Sequence, residues 1–217
     1  MKIIAISDTH NAYSKVKVPE GDVLIHAGDI QAYGYSSELK TFNKWLGTLP
    51  HKHKIVIAGN HDGYIYKTDI NKVKKYLSNA IYLENSGCEI EGIKFWGSPI
   101  TPTFNDWFFM AERGADINKY WQEIPEKTDI LITHGPPYGI LDYVPFSYNN
   151  HNVGCSDLLD IVTHKVKPKY HIFGHIHGNN GIHQENDITY VNASVMDNNY
   201  SVVYTPIEIN THTKNNT

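Results

Sequence analysis

Aspartate, histidine and asparagine recur in five short polar motifs of this 217-residue chain: Asp8-Thr9-His10, Gly28-Asp29, Gly59-Asn60-His61-Asp62, Thr133-His134-Gly135 and Gly174-His175-Ile176-His177. Carboxylates, imidazoles and an amide oxygen are the donors of a divalent-metal site built from oxygen and nitrogen. The chemistry to expect of such a set is hydrolysis assisted by two metal ions. No thiolate takes part, which disfavours a structural zinc site. Asp8 and His10 stand at i and i+2, so at a strand end they would point the same way and grip one ion. Asn60 offers a neutral oxygen, and His61, next to it, faces elsewhere for a separate role. Two imidazoles two apart, His175 and His177, rarely serve packing. Each motif alone could be an ordinary polar turn.

The elements that must position these residues come just before them. The apolar runs Ile3 to Ile6, Val23 to Ala27, Ile55 to Ala58, Ile130 to Ile132 and His171 to Phe173 read as strands buried on both faces. Helix-like patterns lie between them. Ser36 or Ser37 would cap a helix carrying Leu39, Phe42, Leu46 and Leu49, and Thr68 one carrying Ile70, Val73 and Leu77. A third holds Ile117, Tyr120 and Trp121, and a fourth runs from Ser156 to about Lys165, stopped by Pro168. Ala80 to Leu83, Cys88 to Ile90, Ile93 to Gly97, Ile188 to Ala193 and Ser201 to Ile209 read as further strands. The fold class expected is α/β, with two packed mixed sheets flanked by helices in four layers. Residues 1–209 form one domain in this reading, followed by a polar tail, 210–217. Ligands of open α/β sheets gather beyond the carboxyl ends of strands, where all five motifs fall.

Composition narrows the partners. The net charge of −4 gives no broad basic surface, so duplex nucleic acid is not expected. No apolar stretch reaches transmembrane length, and Met1-Lys2-Ile3 runs straight into a strand, leaving no room for a signal peptide. Two cysteines, Cys88 and Cys155, give no disulfide framework. The expected setting is cytoplasmic. Of the thirteen histidines, His26 and His171 read as buried and hydrogen-bonded. His51, His53, His164, His183 and His212 read as surface residues, and His151 as a loop residue after His134.

The motif set resembles the calcineurin-like metallophosphoesterases, whose pattern is Asp-x-His, Gly-Asp, Gly-Asn-His-Asp/Glu, a lone His and Gly-His-x-His. Gly97-Ser98-Pro99, Phe104-Asn105-Asp106-Trp107, Thr133-His134-Gly135-Pro136-Pro137, Val153-Gly154-Cys155 and Val191-Asn192-Ala193-Ser194 are similar to the animal metallophosphoesterase-domain-containing (MPPED) proteins. Gly178 departs from them, since they commonly carry an acidic residue there. The resemblance implies two metals. Asp8, His10, Asp29 and His177 would hold one; Asp29, Asn60, His134 and His175 would hold the other, with Asp29 bridging. Manganese, iron or zinc would fit. A hydroxide shared by the two ions would attack phosphorus in line. His61 would protonate the leaving oxygen or stabilise the transition state, and Asp62 would orient His61 and hold it protonated.

The activity implied is phosphodiester hydrolysis, with cyclic nucleotides or small aryl diesters as substrates. The alternatives are a phosphomonoesterase acting on a phosphoprotein or a small metabolite, and a binding module that has lost catalysis. Phe104, Trp107, Phe108 and Phe109 form one aromatic loop, and Tyr138, Tyr143, Phe146 and Tyr148 another. Most of these rings are expected to pack loops onto the sheets, while Tyr138 and Tyr148 could meet a nucleobase.

Overall fold

The computed structural model describes residues 1–145 and 152–211; Phe146, Tyr148, His151 and His212 lie outside them. β1 (Lys2–Ile6), β2 (Val23–Ala27) and β3 (His53–Ile57) run parallel, with α1 (Ser36–Thr48) between the second and third. The short α2 (Gly63–Tyr66) and α3 (Ile70–Tyr76) lead to β4 (Ile81–Tyr82), which extends the sheet in parallel. A hairpin, β5 (Ser86–Ile90) and β6 (Ile93–Ser98), opens a second sheet. β7 (Thr101–Pro102) and β8 (Met110–Ala111) form a small pair of their own. Next come α4 (Ala115–Gln122), β9 (Ile130–Thr133), α5 (Ser156–Asp160) and β10 (Tyr170–Phe173). β11 (Gly181–Glu185) and β12 (Ile188–Asn192) make a second hairpin, and β13 (Ile207–Asn210) returns antiparallel to β1. The strand orders are β13-β1-β2-β3-β4 and β11-β12-β10-β9-β6-β5.

Side-chain alternation sets the layers. Ile3, Ala5, Ile25, Ala27, Ile55 and Ile57 of the first sheet share one apolar cluster with Phe95, Ile130, Ile132, Ile172 and Val191 of the second. The intervening residues, such as Ile4, Leu24, Val56, Leu131 and Phe173, belong with Leu39, Phe42 and Leu46 of α1 and Ile117 and Trp121 of α4. Burying each isoleucine contributes about 1.5–3 kcal/mol, so strands apolar on both faces are stable only between two covering layers. The result is the expected order of helix, sheet, sheet, helix. Among the described residues, no helix is long and apolar enough to cross a membrane.

Several local expectations are corrected. α1 starts at Ser36 with no serine cap; Glu38 instead reaches back to the Tyr35 N–H at 2.6 Å. Asp69, not Thr68, caps α3, accepting from the N–H groups of Asn71 and Lys72. The helix from Ser156 widens into a π-helical turn over Ile161–Val166, where the Thr163 hydroxyl bonds the Leu159 carbonyl at 2.7 Å. Of the span from Ser201 to Ile209, only the end forms a strand; Val202 makes a single bridge to Met196, and the N–H groups of Val203 and Tyr204 both turn to the Val195 carbonyl. His51 is buried, tucked against Pro19, rather than exposed.

Candidate metal centre

Every motif leaves the carboxyl end of a parallel strand. β1 delivers Asp8 and His10, β2 Asp29, β3 Asn60 and His61, β9 His134, and β10 His175 and His177. Backbone bonds lock these turns together. Asp8 N–H donates to the Gly28 carbonyl at 3.0 Å, His10 N–H to the Asp29 carbonyl at 3.1 Å, and Gly174 N–H to the His134 carbonyl at 3.0 Å. The two sheets meet where the His175 N–H donates to the Asp8 carboxylate at 3.0 Å.

The turns are strained. Asp8, His10, Asp29 and His175 all have left-handed backbones, with φ of 55°, 37°, 54° and 68°. Each such residue costs about 1–3 kcal/mol and persists only where its surroundings over-determine it. Asp8 and His10 therefore converge through a left-handed turn, not through strand alternation as the sequence suggested. Gly28, at φ +101°, and Gly174 make the close approaches possible. A Cβ at Gly28 would sit 2.7 Å from the Ala58 carbonyl and collide with the His134 ring; one at Gly174 would collide with the Asp8 carboxylate.

All seven expected ligands converge. Three overlapping groups place their donor atoms within 4.8 Å of one another: Asp8, His10 and His177; His10, Asp29 and His61; Asp29, His134 and His175. Asp29 stands at the junction, with Oδ2 3.7 Å from His10 Nε2 and 3.3 Å from His134 Nε2. Asn60 joins the second side, its Oδ1 3.0 Å from His134 Nε2. His177 Nε2 lies 3.6 Å from Asp8 Oδ1 and 3.3 Å from His10 Nε2.

These contacts fit a cation better than they fit each other. His134 Nδ1 gives its proton to the Ala27 carbonyl at 2.9 Å, so Nε2 is left as a lone pair facing two oxygens. His10 Nδ1 likewise faces the Gln31 carbonyl at 3.3 Å, which turns its Nε2 toward that of His177. Lone pairs that converge in this way call for a proton or a metal between them.

Without metal, protons take that place. Burial disfavours the His134 imidazolium, but the Asp29 charge outweighs it and lifts the pKa to about 9. Asp29 is held well below the usual carboxylate range: burial opposes this, and the charge of His134 overcomes it. Burial also opposes ionisation of Asp8, yet the His177 hydrogen bond and charge bring it to about 2. His175, with burial dominant, falls to about 3.

His61 borders His10 and Asp29 but is not one of the seven expected ligands. Its N–H donates to Asp29 Oδ1 at 2.8 Å, and its ring lies 4.6 Å from that of His10 and 4.1 Å from that of Trp107. The expected support from Asp62 is not what the geometry gives. The Asp62 carboxylate accepts from the backbone N–H groups of Gly59 (2.8 Å), Gln31 (2.8 Å) and Ile30 (3.3 Å), so it ties the β3 turn to the β2 turn rather than orienting the His61 ring. Burial, with Asp29 opposing only in part, lowers the His61 pKa, so the ring is not held protonated. Burial, reinforced by the Asp29 charge, lifts Asp62 itself to about 7.

A cleft of about 940 Å³ opens over the centre, lined among others by Asp29, His61, His175, Phe104, Trp107, Arg113 and Tyr200. Phe109 is buried as expected, whereas Phe104 and Trp107 are 50% and 41% exposed and face the cleft. Tyr138 also lines it. Sequence reasoning missed three contributors. Tyr200 sets its ring 5.1 Å from that of His10 and 4.9 Å from that of His177. Glu38 binds the loop after Asp29, accepting from Asn11 and from the N–H groups of Ala32, Tyr33 and Tyr35. Arg113, the sole arginine of the chain, donates to the carbonyls of Val153 and Gly154 at 2.8 Å each. Its uniqueness was the one available signal.

The protein-family model for calcineurin-like phosphoesterases matches residues 1–179. The chain belongs to this family. Membership places it among metal-binding hydrolases that act on phosphoesters, and the ligand clusters agree with that placement. Metallophosphoesterase domain-containing protein 1 of Homo sapiens is 42% identical over 237 residues, covering 99% of this chain and 72% of that protein; the Mus musculus protein gives the same values. The phosphopantetheinyl hydrolase PptH of Mycobacterium tuberculosis shares the fold at a TM-score of 0.62 and 13% identity, over 92% of this chain and 90% of that one.

Proposed function

We propose that this phosphoesterase hydrolyses phosphodiesters at a dinuclear metal centre, with Asp8, His10, Asp29 and His177 holding one ion and Asp29, Asn60, His134 and His175 the other. The position of the Asp29 carboxylate between the two ligand groups carries this reading. Manganese suits such a donor set, as do iron and zinc. The pair of ions, when bound, would supply an activated water and offset the charge growing on the phosphoryl oxygens.

The chain's own residues do the rest. Ala27 and Gln31, through their carbonyls, fix which ring nitrogen of His134 and His10 faces the centre. His61 lies beside the first ligand group without being needed in it, its ring 4.6 Å from that of His10, which supports a role in giving a proton to the leaving oxygen. An anionic substrate in the cleft would raise the His61 pKa toward the value such an acid needs. Asp62 keeps the His61 turn in place through three amides. Trp107 lies against the His61 ring at 4.1 Å and would shield that side of it.

A diester has two organic substituents on phosphorus. Phe104, Trp107 and Tyr200 all line the cleft and offer apolar surface to those substituents, which supports a diester such as a cyclic nucleotide or an aryl diester over a monoester. Metal analysis of the purified protein, followed by rates on a p-nitrophenyl diester and monoester with manganese, tests this. Two ions per chain and faster diester turnover are expected. Faster monoester turnover would make the protein a phosphomonoesterase, and metal-loaded protein inert on every phosphoester would make it a binding module.

A further inference from the structure

Two histidines that take no part in the centre occupy matching places in the two sheets. His26 lies in β2, the middle strand of the first sheet; His171 lies in β10, inside the second. Both are fully buried. Each reaches a threonine at the end of the neighbouring strand. His26 Nε2 is 2.9 Å from Thr9 Oγ1, beyond β1, and His171 Nε2 is 2.8 Å from Thr133 Oγ1, at the end of β9. Each ring stands edge-on to a phenylalanine, Phe42 at 5.1 Å or Phe173 at 5.2 Å.

The threonines sit where the centre is most demanding. Thr9 lies between Asp8 and His10, both left-handed. Thr133 precedes His134, and its hydroxyl donates to the Gly135 carbonyl at 2.7 Å, closing the turn around that ligand. Because that hydroxyl proton is committed, His171 must supply the proton to Thr133, which fixes its tautomer as Nε2–H. Burial pushes both histidines down to about 3, so they act as neutral hydrogen-bonding groups. In both, Nδ1 is buried with no partner. A phenylalanine would fill either place without leaving a nitrogen unsatisfied, so packing alone does not account for histidine twice.

We infer that His26 and His171 are a matched pair of positioning residues, each holding, through a threonine hydroxyl, the ligand-bearing turn of its own sheet. The inference rests on the proposed two-ion centre and adds a division of labour: His26 with Thr9 serves the Asp8/His10 side, and His171 with Thr133 serves the His134 side.

Isothermal titration of metal-free protein with manganese tests it, with Asp8→Ala and His175→Ala as references for loss of either side. Thr9→Val and His26→Phe should weaken the Asp8/His10 side by about tenfold or more, and Thr133→Val and His171→Phe the His134 side by as much, the scale typical of groups that orient metal ligands. Thr9→Ser and Thr133→Ser keep the hydroxyl and should keep the affinity. Within each pair the double variant should lose no more than one single variant does. Equal weakening of both sides by every variant, or serine variants as weak as valine variants, would overturn the inference. If the phenylalanine variants fail to fold, the threonine series decides alone. Wild-type protein that takes up a single ion would refute the dinuclear reading, and the hydroxyl dependence would still be measured on the side that remains.

Discussion

The ligand cradle and the walls of the cleft above it are built in opposite ways. In the cradle, Asp8, Asp29 and His134 are at most 2% exposed and each is bonded to backbone or side chains from a different strand end. In the walls, Phe104, Trp107 and Tyr200 come from loops and leave half their surface open, give or take a tenth. The cradle is over-determined: parallel-strand register fixes where the turns begin, and cross-sheet bonds fix where they end. The walls are held mainly within their own loops, by Thr101 N–H to the Phe109 carbonyl at 2.9 Å and Asp197 N–H to the Ser201 carbonyl at 3.0 Å, while Phe108 N–H reaches the Asn60 carbonyl at 3.2 Å. On the proposed reading, the difference assigns reaction type and substrate choice to separate parts of this chain, so that each should be alterable without the other.

The hardest break is at the junction. Asp29→Ala should strip both ions and leave no measurable turnover, because one carboxylate serves both ligand groups and also receives the His61 N–H. Metal content after gel filtration checks this; a variant retaining two ions would mean that Asp29 is not shared. Next is His61→Ala. It should keep the metals and lose about 10²- to 10⁴-fold in kcat, the range for removal of a general acid. If it loses metal instead, His61 belongs to the cradle and the boundary drawn between the regions moves.

Much of the cradle could be read from the chain because its information is local. A run of apolar residues followed by Asp8 or Asp29 declares a strand end and a candidate ligand within a few residues, and the parallel sheets then bring the five ends together. What could not be read depends on partners far away in sequence. Asp62 looked like a partner for its neighbour His61, yet its three amides come from Gly59 and from the β2 turn some thirty residues earlier. Tyr200 meets His10 across the whole chain. β11, Gly-Ile-His-Gln-Glu, has one apolar side chain and is a strand only because β12 pairs with it. Glu38 carries no sequence mark of its role, yet it gathers the N–H groups of the loop before its own helix.

Titration of the metal-free protein probes the cradle more gently. His134 has a pKa raised from 6.5 to about 9, so its pairing stabilises the fold fully below pH 6.5, and that contribution is lost as pH rises through 9. Asp29 is depressed below 3.8, so its share is present above that pH and is lost as pH falls below it. In chelator, Tm should therefore decline as pH rises from 6.5 toward 9; it should also fall as pH drops below 6.5, because His26, His171 and His175, lowered to about 3 by burial, then resist the proton that the unfolded chain takes up. With manganese the alkaline decline should vanish, because metal replaces the His134 proton; uptake at pH 7 should release protons to the buffer. Trp107 has no titratable group, so Trp107→Ala should leave both profiles in place.

The smallest effect is expected in the walls, at Arg113. Its guanidinium forms no ion pair among the described residues, and its two partners are neutral carbonyls, so a cationic group lines the cleft. A phosphodiester anion entering the cleft would feel that charge through water, where such an attraction is worth about 0.2–1 kcal/mol. Arg113→Ala should then raise KM by no more than about fivefold at low salt, with kcat and metal content unchanged, and the difference should shrink as salt screens it. The same arginine also ties the chain after β8 to the turn before α5, so a structural role predicts a different pattern: a lower Tm, and a KM shift indifferent to salt. Arg113→Lys separates the two, since it keeps the charge and gives up the fork that spans both carbonyls. Recovery of KM by lysine would assign Arg113 to the substrate; recovery of neither KM nor Tm would assign it to the scaffold and leave the walls wholly aromatic in their selectivity.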